Sequence, residues 1–221
     1  MDIQYLLSIL NYMVNSIEEK INLARTSEKD ITILLKSIGS KYNATLKGLR
    51  FKFKKTNKIY EKIKYKSIRD ILRYTFVLKD KDYVSGVYNI YSELINNKNF
   101  KTKHSWNKQK WCLGDMYQGI NTSWLYKDLF IFEIQFHTNK SFAIKMNKKN
   151  HTLYDKYNSL KCDELYINKR KYNKSKCKNI RSKLIRNEKL VTIPKLLRGD
   201  NCGTTISEFN KLTKRKYKKT N

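Results

Sequence analysis

The chain has 221 residues and carries 48 Lys and Arg against 19 Asp and Glu, a formal charge of +29 at pH 7. That length supports one good core with appendages, and no apolar run of about 18 residues is present to span a membrane as a helix. Charge of this size favours polyanions such as RNA, DNA, nucleotides or an acidic membrane surface, although A/T-rich codons would raise Lys, Asn, Ile, Tyr and Phe in the same way.

With one proline and seven glycines, the elements should be long. Ile3, Leu6, Leu7, Leu10, Met13, Val14, Ile17 and Ile21 fall at helical spacing, which predicts an amphipathic helix over 3–21. Met1 leads straight into it, so no signal peptide is expected, and a cytoplasmic location follows. Ser27 and Asp30 suit the cap of a second helix presenting Ile31, Leu34, Leu35, Ile38 and Tyr42 and ending near Gly48. A basic strip comes next: Arg50, Lys52, Lys54, Lys55, Lys58 and Lys62. Phe51 and Phe53 alternate with its first members as in a short strand, and Asn57 could cap a short helix through Lys64.

Asp70–Leu78 reads as a buried strand, and Asp82 suits the cap of a helix carrying Val84, Val87, Tyr88, Tyr91 and Leu94. Strands are expected over Phe100–Trp106 and Tyr117–Leu125, with a loop over Asn107–Asp115 between them. Lys127–Asp128 forms a turn into the strand Leu129–His137. Within that last strand Phe130, Phe132, Ile134 and Phe136 point one way, while Glu133, Gln135 and His137 point the other. A helix over Ser141–Tyr157 follows. The order gives an α+β domain with a single mixed sheet flanked by helices. Three parts are expected: a helical segment over 1–48, a core over 49–158, and a basic extension over 159–221. Residues 156–221 hold 20 Lys and Arg against 5 Asp and Glu. Cys112, Cys162, Cys177 and Cys202 are scattered without a C-x-x-C pair, so reduced thiols are the expectation.

Two acids, Asp70 and Glu133, sit on predicted strands. One acid from each of two neighbouring strands facing a cleft suits Mg²⁺, which takes one or two carboxylates and completes its shell with water and phosphate oxygens. The basic strip offers cations for a triphosphate, and Tyr117 a ring on which a base can stack.

Lys54–Lys62 (KKTNKIYEK), Asp70–Leu78 (DILRYTFVL), Tyr117–Asn121 (YQGIN), Glu133–Thr138 (EIQFHT) and His151–Tyr157 (HTLYDKY), taken in this order, resemble the synthetase domain of the RelA/SpoT superfamily. The resemblance runs over about residues 49–157 and is nearest to its divergent toxin-like and phage-associated branch. It implies the nucleotidyltransferase-like synthetase fold and transfer of pyrophosphate from ATP. Asp70 would bind Mg²⁺, and Glu133 would complete the metal site or activate the acceptor hydroxyl. Tyr117 would stack on the acceptor guanine, and Lys54 and Lys62, with Lys52, would hold ATP phosphates. Gln118, Asn121, Gln135, His137 and His151 fall in the matching segments and join the substrate-binding set, as does Arg73.

The sequence departs from the family at four places. Thr75 stands where an arginine follows the strand acid, with Arg73 as the nearby arginine; Lys52, Asn121 and His137 replace an arginine, a histidine and an arginine. In a regular strand Asp70 and Arg73 would face opposite sides. The paired His-Asp motif of the metal-dependent hydrolase domain is absent from the sequence. Three readings follow: pyrophosphate transfer to a guanine nucleotide, the same transfer to an RNA end such as a tRNA 3′ hydroxyl, or an inactive nucleic-acid-binding module on the same fold. The basic C-terminal part favours RNA as a partner.

Overall fold

A computed structural model describes residues 3–63, 69–102, 111, 116–160 and 174–188, with side chains from Ser16 onward and without those of Lys62, Ile63, Lys174 and Glu188. Helix α1 (Ile3–Lys41) is continuous for 39 residues, where two helices were expected. The reason is local. Ser27–Asp30 lie in the helix, and Thr26 Oγ1 bonds back to the carbonyls of Asn22 and Leu23, both at 3.1 Å. The stripe Ile21, Ala24, Ile31, Leu35 and Ile38 is buried without a change of register.

The helix ends at a close approach. A Cβ on Gly39 would meet the Ala44 carbonyl oxygen at 2.8 Å and Phe76 Cε1 at 2.9 Å. Asn43 turns left-handed at φ 54° and the Ala44 amide donates to Gly39 O at 2.9 Å, a common way to close a helix C-terminus.

Strand β1 (Thr45–Leu46), a 3-10 turn at Leu49–Phe51 and helix α2 (Thr56–Ile63) follow. Phe51 lies in the turn and is exposed, while Phe53 forms an isolated antiparallel bridge to Leu72. Then come β2 (Arg73–Leu78), α3 (Tyr83–Asn96), β3 (Phe100–Thr102), β4 (Ile120–Tyr126) and β5 (Phe130–Thr138). They form one mixed sheet in the order β1-β2-β5-β4-β3. The Asn107–Asp115 loop lies outside the described residues except for Trp111, which is buried. The turn into β5 is a two-residue hairpin with Lys127 at φ 45° and Asp128 at φ 60°, the left-handed pair that matches strand twist.

One helix was expected after β5, and there are two. Helices α4 (Asn139–Met146) and α5 (Lys148–Ser159) meet at Asn147, whose backbone is extended at φ −67° and ψ 120°. Its side chain caps α5 by accepting from the amides of Lys149 and Asn150. Helix α6 (Lys174–Glu188) packs on α5: Cys177, Ile180 and Leu184 bury with Tyr157 against Leu153, Leu160 and Met116. Cys177 is disulfide-bonded, a correction to the expected reduced thiols. Spacing along the chain carries no information on which sulfurs meet in space.

The chain divides into two compact units. One comprises Met1–Phe76, Asn89–Ser105 and Thr122–Gln135, the other Val77–Tyr88, Trp106–Asn121 and Phe136–Asn221. In the first, the α1 stripe accompanies Tyr74, Phe76, Phe132 and an aromatic group of Trp124, Tyr91 and Phe100. In the second, Tyr83 donates to the Phe136 carbonyl at 2.9 Å and accepts from Trp111 Nε1 at 3.1 Å, both groups buried. Among the described residues no helix is long and apolar enough to cross a membrane.

Candidate active site

Leu72 organises the site in the first unit. On one side, Phe53 bridges to it antiparallel, with the Lys54 amide on Ile71 O at 2.9 Å and the Arg73 amide on Lys52 O at 2.8 Å. On the other side, the Glu133 amide donates to Leu72 O at 3.0 Å. The basic segment, the acid ahead of β2 and the acid of β5 thus lie on three adjacent stretches of backbone.

Their side chains meet in sequence. Lys54 Nζ and Arg73 Nη2 both reach Asp70 Oδ2 at 2.7 Å. Arg73 Nε lies 2.7 Å from Glu133 Oε1, an ion contact outside hydrogen-bond alignment. Gln135 Nε2 donates to the same Glu133 oxygen at 2.6 Å, and Thr75 Oγ1 reaches Gln135 Oε1 at 3.4 Å. Asp70 is nearly buried, with its side chain 8% exposed, and Glu133 is 15% exposed. Burying acids this deeply costs desolvation, which their charged partners offset.

The convergence of Asp70 and Arg73 corrects the strand-parity expectation. Regular pairing in β2 begins at Arg73, so Asp70 precedes the strand and alternation does not apply to it. Beyond position 73 alternation holds: Arg73 and Thr75 share a face of β2, as Glu133 and Gln135 share a face of β5.

Lys52 points elsewhere. Its Nζ pairs with Glu28 Oε1 at 2.6 Å, and Thr32 Oγ1 donates to that same oxygen at 2.6 Å. Desolvation works against ionisation of Glu28, but the Lys52 and Thr32 hydrogen bonds leave its carboxyl below the usual range. Tyr74 OH completes this group, 2.8 Å from Thr32 Oγ1. Lys62 is on α2, and its side chain is outside the described residues.

The second unit holds Tyr117, Gln118, Asn121 and His137. Tyr117 is half-buried and its hydroxyl donates to Asn121 Oδ1 at 2.7 Å; it also lies 2.8 Å from His137 Nε2. The Tyr117 and His137 rings stand edge to face at 5.3 Å. His137 Nδ1 is 2.9 Å from Ser141 Oγ. Burial, with the Lys145 cation nearby, pushes the His137 pKa well below the ordinary histidine value, while a hydrogen bond to the Gln118 backbone works the other way. The imidazole is therefore neutral at pH 7. Gln118 is buried.

Ser141 is a residue that pattern reading missed. It pairs with Thr138 in a capping box at the start of α4 as well as with His137. The Thr138-x-x-Ser141 spacing was the available signal. His151 lies on an exposed part of α5, where Nδ1 is 3.1 Å from Asp155 Oδ2, one turn away.

Among the described residues no cluster of three or more His, Cys, Asp and Glu forms a ready metal cage. Magnesium does not need one, because it keeps waters and shares phosphate oxygens. Asp70 and Glu133 supply hard oxygen donors on one ion chain, both partly shielded from water, and so fit a magnesium ion delivered with a phosphate ligand.

No family pattern matches the sequence, and no curated protein matches it. Solved structures do match by fold. Small alarmone synthetase 1 from Bacillus subtilis, bound to its product pppGpp, is similar at TM-score 0.52 and 16% identity, over 79% of this chain and 90% of that one. The structure of the Type VI effector Tas1 with its immunity protein is similar at TM-score 0.51 and 16% identity, over 78% and 94%. The chain shares the α+β fold of these structures, one mixed sheet flanked by helices.

Proposed function

We propose that the protein transfers a pyrophosphate group from ATP to a hydroxyl of a nucleotide or of an RNA 3′ end. The observation that carries this reading is the chain Lys54–Asp70–Arg73–Glu133–Gln135, on a fold shared with a synthetase bound to pppGpp. The acceptor oxygen attacks the β-phosphorus of ATP. The bond from that phosphorus to the oxygen bridging it to the α-phosphate breaks, and AMP leaves. Glu133 takes the hydroxyl proton, with Gln135 and Arg73 fixing its carboxylate. Lys54 and Arg73 exchange a carboxylate partner for phosphate oxygens, so the reacting charge meets cations already held in place. Asp70 and Glu133 would hold Mg²⁺, which when bound neutralises phosphate charge. Tyr117 offers the stacking face for the acceptor base.

One observation favours RNA over a free nucleotide as acceptor. On α6, Lys176, Lys178, Arg181, Lys183 and Arg186 are all exposed, while the opposite stripe is buried. A small nucleotide does not need a cationic face of that length, but a polyphosphate backbone uses it.

The test is incubation with labelled ATP, Mg²⁺ and, in separate reactions, GTP, GDP or total tRNA. AMP should appear with one acceptor and vanish in Glu133→Gln, which keeps shape and removes charge, and in Asp70→Asn. A wild-type protein that releases no AMP with any of these yet binds RNA would be a nucleic-acid-binding module instead.

A further inference from the structure

In the second unit the polar groups around Tyr117 form a connected string. The tyrosine hydroxyl spends its proton on Asn121 Oδ1 at 2.7 Å, so at its 2.8 Å contact with His137 Nε2 it accepts. Nε2 can then donate to the phenol oxygen, and the ring also has a hydrogen bond to the Gln118 backbone. Ser141 Oγ accepts the Thr138 amide at 3.0 Å and lies 2.9 Å from Nδ1 and 3.3 Å from the Thr138 carbonyl, to either of which its hydroxyl can donate. Polar contacts run without a gap from the α4 cap through His137 to the tyrosine.

Gly119 is the space in which this happens. A Cβ there would lie 2.7 Å from His137 Cε1, 3.0 Å from Nδ1 and 3.1 Å from Nε2. All three nearest atoms belong to one fully buried ring, which is held at both nitrogens and cannot swing away. Gly119 is not among the positive-φ residues, so the lack of a side chain, not backbone freedom, is what the position requires.

We infer that Gly119 and His137 are positioning residues for Tyr117, holding its ring in the orientation that receives the acceptor base. The inference rests on the reading above that Tyr117 stacks on a base, and it adds what fixes that ring. Loss of the string should weaken the acceptor and leave ATP alone. The hydrogen bond from His137 reaches Tyr117 through the phenol oxygen, while the two rings also pack edge to face at 5.3 Å, so Tyr117→Phe should remove the polar part of the histidine's effect on binding.

The experiment is a double-mutant cycle read by equilibrium binding, with GDP and total tRNA as acceptor probes and ATP as control. The variants are His137→Leu, Tyr117→Phe, both together, His137→Gln and Gly119→Ala, each checked by thermal melting. His137→Leu should weaken acceptor binding about three- to tenfold, the range for one lost hydrogen bond. ATP binding should be unchanged. In the Tyr117→Phe background the same substitution should have a clearly smaller effect, the ring contact being all that remains to lose. His137→Gln, whose amide nitrogen can reach the phenol, should recover part of the loss. Gly119→Ala, which displaces the ring without changing its chemistry, should reproduce it. Tyr117→Ala separates the two claims. If it loses acceptor binding while His137→Leu and Gly119→Ala do not, or if their losses persist undiminished beside Tyr117→Phe, the positioning inference is overturned and the stacking reading stands. If Tyr117→Ala binds both probes as wild type does, or wild type binds neither, stacking itself fails.

Discussion

At the scale of single residues, the protein's polar groups are held by partners that neighbouring backbone brings to them. Arg73 shows the limit of pattern reading. Its link to Asp70 was invisible because a strand over 70–78 puts the two on opposite sides, whereas β2 begins only at Arg73. The face of β5 that carries Glu133 and Gln135 was legible, because alternation with Phe132 and Ile134 leaves one register that buries the rings. His137 was legible as a polar position but not as a neutral, fully enclosed one, since its partners come from residues 117 and 141. Its depressed pKa makes a prediction. The unfolded chain takes up a proton below about pH 6.5 that the folded chain refuses. The stabilisation is therefore complete above that pH and is lost as pH falls below it, at up to about 1.4 kcal/mol per unit. Urea unfolding at pH 7.5 and 5.5 should show a larger acid loss for wild type than for His137→Gln. Equal losses would mean that the histidine is not held neutral.

At the scale of elements, the hairpin β4–β5 and the apolar helical stripes could be read directly, and the helix boundaries could not. α1 runs through a promising cap because its buried stripe continues in register, and register outweighs a cap worth about 1 kcal/mol. The α4–α5 break was hidden for the opposite reason. Asn147 caps both ways, yet no glycine or proline marks it. The end of α1 supplies a test. In an open helix Gly→Ala stabilises by about 0.5–1 kcal/mol. At Gly39 the added carbon would sit 2.8 Å from a carbonyl oxygen and 2.9 Å from a buried phenylalanine. We expect Gly39→Ala to destabilise by about 1–3 kcal/mol, as overpacking does, measured by the urea midpoint. A stabilised variant would show that the α1 terminus and β2 have room to part.

At the scale of the whole molecule, the question is whether +29 is a working charge or a by-product of composition. The boundary expected at 158 falls inside α5, and α6 packs on that helix, so removing everything after Asn158 would strip cover from Tyr157. Truncation would then confuse lost folding with lost charge. The amphipathic layout of α6 offers a cleaner experiment, because its cations and its buried stripe lie on separate faces. Replacing Lys178, Arg181 and Lys183 by Gln should leave the melting temperature within a degree or two, since exposed charges contribute little to stability. If these residues contact phosphates, the slope of log K against log salt should flatten by about 0.7 per contact on single-stranded RNA or about 0.9 on a duplex. Turnover with a small nucleotide acceptor should be unchanged, because none of the three belongs to the ion chain around Glu133. An unchanged slope and affinity would mean that this face of α6 is solvated lysine and arginine with no polyanion to meet, and the case for an RNA acceptor would fall with it.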